Sequence, residues 1–177
     1  MSQVNKLNQV NSKLGASMMG QQTTRYIYDS ITTVAGQTNF EFFKTFANKT
    51  EFQTNLTTNK LDSSESMVIK SIFVAGNITP GLSGHSNLNI VVGNQVVLKD
   101  FNIAFNSTNR GVSYERIHAS NSDDDVVEIR LLTDIIIPPQ VNFSATLQLA
   151  EGTTSVDQNL TLGLKGYGVI FSAGSTF

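Results

Sequence analysis

From Arg25 onward, apolar and polar residues alternate in short runs with period two, the repeat of a half-buried β-strand. Val141-Asn142-Phe143-Ser144-Ala145-Thr146-Leu147-Gln148-Leu149 alternates without a break. Leu160 to Phe171 carries the same period. Asn89 to Val92 and Gln95 to Lys99 are β-branched runs flanking Gly93-Asn94, a pair suited to a two-residue hairpin turn. Ser66 to Gly76 is nearly continuous in apolar residues and is interrupted once, at Lys70-Ser71. That pattern predicts a strand buried on both faces, or one with a bulge at the polar pair. Further strands are predicted at Tyr26 to Val34, Asn39 to Phe46, Asp100 to Phe105, Val126 to Leu132 and Ile135 to Ile137. Pro138-Pro139 stops the last of these, because proline cannot donate to a ladder. About eight to ten strands, turn signals every 8 to 15 residues and no long helical period predict an all-β sandwich or barrel.

Residues 1–24 differ from the rest. Val4, Leu7, Val10 and Leu14 recur at helical spacing in an Asn-rich stretch with Lys6 and Lys13 and no acid. This segment reads as a frayed tail, as an arm that orders against a neighbouring subunit, or as a short amphipathic anchor. With Arg25 it carries three positive charges, which allows weak contact with packaged nucleic acid or lipid. Ser172 to Phe177 reads as a second short arm. The expected organisation is therefore an extended or partly helical arm at 1–24, one β domain at 25–171 and a tail at 172–177.

Composition narrows the function. The 177 residues contain no Cys, which removes disulfides, thiolate metal sites and cysteine nucleophiles. Charged residues are only 15% and the net charge is -2, which argues against binding nucleic acid through bulk electrostatics. Neutral polar types take their place: 17 Asn, 18 Thr, 18 Ser and 10 Gln. Surfaces of this kind pack against neighbours at lower desolvation cost than charged ones. The start of the sequence lacks the apolar core of a signal peptide, and no run approaches the length of a membrane helix. Synthesis in the host cytoplasm is expected.

Motifs for chemistry are sparse. Ser83 and His85 lie in a Gly/Pro loop without the spacing of a nucleophile elbow. Asp123-Asp124-Asp125 reads as a solvated acidic loop or as oxygen ligands for a hard cation, without the spacing of a calcium loop. Gly163, Gly166 and Gly168 precede no helix, so they read as bulges or close backbone approach rather than a nucleotide loop. No enzyme activity, cofactor or metal is expected. Phe40, Phe42, Phe43 and Phe46 read most simply as core, and otherwise as aromatic anchors of a subunit interface, with Val4, Leu7, Val10 and Leu14 as further contacts.

The order Ile135-Ile136-Ile137-Pro138-Pro139, alternating strand, polar loop, then Leu160-Thr161-Leu162-Gly163-Leu164-Lys165-Gly166-Tyr167 resembles the closing strands of jelly-roll virion proteins of bacteriophages. Thr54-Asn55-Leu56 followed by Ser66 to Val74 resembles the entry into the first core strand of such proteins. The resemblance implies a single jelly roll within residues 38–171. It also implies a capsid or capsid-associated subunit that assembles with copies of itself and other virion proteins, without a small-molecule substrate. The rival is a β-sandwich binding module for carbohydrate or a host-cell surface, against which the absence of Trp counts.

Overall fold

A computed structural model of the chain describes residues 21–76, 86–103, 125–154 and 156–170. Eight strands are present among them: β1 (Gln21–Thr32), β2 (Asn39–Phe42), β3 (Glu65–Gly76), β4 (Ser86–Val92), β5 (Gln95–Asn102), β6 (Asp125–Ile137), β7 (Phe143–Leu149) and β8 (Asn159–Ile170). They form two four-stranded antiparallel sheets, ordered β1-β8-β3-β6 and β2-β7-β4-β5. These are called sheet A and sheet B below.

The pairing has a simple origin. β1 pairs with β8, β2 with β7, β3 with β6 and β4 with β5. The chain is thus one long hairpin closed by the Gly93-Asn94 turn, where Val92 faces Gln95. Rolling that hairpin up adds the β3–β8 and β4–β7 pairs and divides it into two sheets. An eight-stranded hairpin rolled into two sheets is a jelly roll. The expected all-β sandwich is the observed fold.

The core lies between the sheets. β4 and β7 alternate as the sequence demands, with Leu88, Ile90, Val92, Phe143, Ala145, Leu147 and Leu149 inward. Sheet A contributes Ile27, Met67, Ile69, Ile72, Val74, Ile129, Ile135, Ile137, Leu160, Leu162 and Leu164. Each of these side chains larger than Ala145 contributes about 1.5–3 kcal/mol by leaving water.

One expected irregularity is present, and four strands differ from the sequence reading. Lys70 is an extra residue in β3: Ile69 faces Gly166 and Ser71 faces Lys165, so the expected bulge is present. Opposite it, Ile69 faces Ile135 and Ser71 faces Arg130, leaving residues 131–134 of β6 bowed outward. The expected strands at Val126 to Leu132 and Ile135 to Ile137 are therefore one strand with an irregular middle. β5 likewise runs through Asp100 at φ 47° into what reads as a separate strand. Finally, β2 stops at Phe42, because Phe43 takes φ 60° and turns the chain. β1 starts at Gln21, so residues 21–24 belong to the sandwich and not to an arm.

Candidate functional site

The distinctive chemistry of the described residues lies on the outer faces and edges of the sandwich. The two faces differ in chemistry. On sheet B, one row across the strands reads Asn39, Gln148, Asn87, Asn102, four amides in register. Asn102 donates its side-chain amide to Asn87 Oδ1 at 3.4 Å. The next row carries Glu41, Thr146 and Asn89, and the next Ser144, Val91 and Val96. Alternation forces this: the core takes every second residue, and the sequence fills the others with Asn, Gln, Ser and Thr. The face is largely hydrogen-bonding and carries few charges, Glu41 among them.

The outer face of sheet A is apolar at one end and ionic in the middle. Val68, Tyr167 and Val169 form a buried cluster there, with Ile136 packed against it. Lys70, Lys165 and Arg130 stand beside Glu128 and Ser71 over the bulge, around a cleft of about 560 Å³. Lys70 Nζ donates to both Asp134 oxygens at 2.6 Å and lies 5.3 Å from the centre of the Tyr167 ring. Glu128 Oε1 accepts from Ser71 Oγ at 2.7 Å and from Lys165 Nζ at 3.3 Å. Burial pushes the Glu128 carboxyl up, but the Ser71 and Lys165 hydrogen bonds and the Lys165 and Arg130 charges outweigh it, and its pKa is lowered. Burial, and then the Glu128 charge, raise the Tyr26 phenol.

The open flanks of the sandwich are treated differently. Beside β1, residues 50–55 close the edge: Ser30 N donates to Gln53 O at 2.7 Å and Tyr28 N to Asn55 Oδ1 at 3.0 Å. Asn55 Nδ2 returns a bond to Tyr26 O, and Thr54 Oγ1 donates to Tyr28 O. This blunts an edge strand that would otherwise recruit another chain. The loop is anchored by Asp29, which is fully buried and accepts from Lys49 Nζ at 2.6 Å and from Phe43 N at 2.7 Å. On the opposite flank, β5 and β6 leave an apolar groove of about 500 Å³ lined by Val97, Leu98, Phe101, Leu131, Leu132 and Ile135, among others. Leu132, on the outward bow, is 80% exposed.

Phe40, Phe42 and Phe43 are fully buried in the chain's own core, and Phe46 packs half-buried against it. These four complete the sandwich: the first three present no surface to a neighbour, because the core-facing parity of β2 and the turn at Phe43 point them inward. Phe52 is the exposed member of that aromatic stretch, at 93%. Arg25 is committed within the fold, forking onto Glu65 at 2.6 and 3.1 Å. Val4, Leu7, Val10, Leu14, Ser83, His85, Asp123 and Asp124 lie outside the described residues. Among the described residues no cluster of His, Cys, Asp and Glu has metal-holding geometry. The expected close approach at the glycines is present: a Cβ at Gly163 would lie 1.6 Å from the Phe73 ring, and one at Gly166 would lie 1.9 Å from Val68 O.

Sequence reasoning missed the amide row and the apolar outer cluster. The first needs strand order. The second has a local signal: Tyr167 and Val169 are large apolar residues on the opposite parity from Leu160, Leu162 and Leu164.

No protein-family model and no curated protein matches the chain. Among solved structures, the chain is similar to the tomato aspermy virus structure, with 9% identity, a TM-score of 0.33, and coverage of 100% of this chain and 99% of that one. It is similar to the nora virus structure at 8% identity and TM-score 0.31, over 90% of this chain; it spans 64% of that chain's length. It is similar to the human norovirus GI.7 VLP at 10% identity and TM-score 0.28, over 94% of this chain and 37% of that one. These likenesses are low, and the fold assignment rests on the strand order itself.

Proposed function

We propose that this chain is a structural subunit of a virus particle, a capsid or capsid-associated protein of a bacteriophage, acting through contacts with copies of itself and with other virion proteins. The observation that carries the reading is the outer face of sheet B. Its amide row offers a broad, uncharged, hydrogen-bonding surface on a rigid sandwich. Such a face is inexpensive to desolvate and supplies paired donors and acceptors to a neighbour, as wet protein interfaces require. The jelly-roll order and the sequence resemblance to phage virion proteins support it further.

The test is light scattering coupled to size-exclusion chromatography on the full chain, with electron microscopy of the leading fraction. A defined oligomer or shell is expected. Asn87→Lys together with Gln148→Lys, which plants two like charges in the row, should dissociate it without unfolding the sandwich. A monomer at every concentration, with the chain absent from purified particles, overturns the reading.

A further inference from the structure

The outer face of sheet A holds a contradiction within its own plane. Val68 and Val169 are fully buried, Tyr167 is 8% exposed and Ser66 is 0% exposed. All four point away from the core, on the opposite parity from Met67, Ile69 and Leu164. Gln22 Oε1 and Ser66 Oγ in the same row are buried without a hydrogen-bond partner. The strands of sheet B pack on the other face, and the described neighbours of the cluster lie in sheet A itself. An outer sheet face with this burial needs a cover.

We propose that residues 1–20 of the same chain fold back across sheet A and lay the stripe Val4, Leu7, Val10 and Leu14 on Val68, Tyr167 and Val169. Three features support this occupant. The segment enters the sandwich beside the cluster, since Gln22 faces Val169 and Val169 faces Ser66. Its reach suffices: seven Cα–Cα steps lead from Leu14 to Gln21 and extend to roughly 23–25 Å, while the four strands of the sheet span roughly 14–15 Å. Its apolar residues fall at steps of 3, 3 and 4, one face of a helix that leaves Asn, Gln and Lys to solvent. Residues 171–177 start at the same end of the sheet, but they are few, and their only large apolar side chains are Phe171 and Phe177. The cover lies in cis and belongs to the free chain, whatever particle it builds.

A cysteine-free chain makes the test direct. Ser66→Cys places one thiol under the proposed cover and breaks no hydrogen bond, because Ser66 Oγ has none. Ala145→Cys, in the core, is the folding control. Reaction with a water-soluble maleimide should be slow at both positions in the full chain. Deleting residues 2–20 should speed labelling at position 66 by about tenfold or more, the scale of a local opening rather than of global unfolding, and leave position 145 slow. Leu7→Asp with Val10→Asp in the full-length chain should do the same, which keeps the test decisive if the truncated chain does not fold. Deleting residues 171–177 should leave position 66 protected. Equal labelling with and without residues 2–20, or exposure only on removing 171–177, overturns the proposal. So does protection that disappears on dilution, which would assign the cover to a second copy.

Discussion

The ring of Phe73 occupies the space that a side chain at Gly163 would fill. An ideal Cβ at 163 would lie 1.6 Å from Phe73 Cε1. β8 runs between β1 and β3, so the missing side chain lets Phe73 lean across it and stack on Tyr26 of β1, with centroids 4.8 Å apart at 15°. Gly163→Ala should expel the ring, which is half-exposed and free to swing outward. The expected loss is about 0.5–1.5 kcal/mol, the worth of an aromatic pair, read as a shift of the urea midpoint with an unchanged slope. Gly166→Ala should be far worse. Its Cβ would meet Val68 O, a backbone atom fixed in the ladder, 1.9 Å away. We expect at least about 3 kcal/mol there, at the upper end of overpacking costs. Equal effects at the two glycines would refute this distinction.

Asp29 and Lys49 form an ion pair in which the carboxylate is fully buried and the lysine side chain is 13% exposed. Removing one partner strands the other. Lys49→Met should destabilise by about 3–5 kcal/mol. Asp29→Asn combined with Lys49→Met should recover a substantial part, since the buried charge is then gone and one amide oxygen still receives Phe43 N. A double-mutant cycle by chemical denaturation measures the coupling. No coupling would mean that the pair is not the anchor of residues 50–55.

The bulge sets which side of β3 faces the core. Before Lys70 the inward residues are Met67 and Ile69; after it they are Ile72 and Val74. Deleting Lys70 would put the two halves on one regular alternation with all four of these residues still inward, so the chain should still form a cooperative sandwich and lose the contacts to Asp134 and Tyr167. Lys70→Ala keeps the extra residue. It should fold with near-normal amide protection in β3 and lose only the contacts to Asp134 and Tyr167.

Glu128 links acid stability to the ionic cleft. Its folded pKa is lowered, so the folded state favours the carboxylate. That contribution is fully present above the ordinary carboxylate range. It is lost as the pH falls through the lowered value, where Ser71 and Lys165 lose a charged acceptor. Glu128→Gln should therefore flatten the acid limb of the stability–pH curve and change little in its shape above about pH 6. Thermal melts from pH 3 to 7 would show this. An acid limb as steep as the parent's would assign it to other carboxylates.

The legible parts of the fold were those written in neighbouring residues. The Gly93-Asn94 turn, the bulge at Lys70-Ser71, the stop at Pro138-Pro139 and the alternation of β7 all reveal themselves within ten residues. What stayed hidden depends on distant partners. Thr133-Asp134 looks like a break between two strands. Asp134 in fact serves Lys70, 64 positions away, on the outer side of one bowed strand. Phe43 looks like one more member of an aromatic interface until Asp29, 14 positions earlier, fixes its amide and turns it into the core. The amide row was invisible for the same reason, since Asn39 and Asn102 share a line only after β7 and β4 come between them.

The pairing of Gln21 with Ile170 carries a consequence in time. On the ribosome, β1 emerges before the other described strands and waits for β8, its strand partner among the described residues, until nearly 150 residues have followed it. Closing so long a loop is entropically slow, and sheets built from such remote contacts fold slowly. Through that interval β1 and β3 expose Tyr26, Ile27, Ile69 and Ile72 to a crowded solution, although the β4–β5 hairpin can form early and alone. A nascent chain of this design is therefore prone to aggregate until β8 is made. The supply of folded chain is then governed by the rate at which sheet A closes.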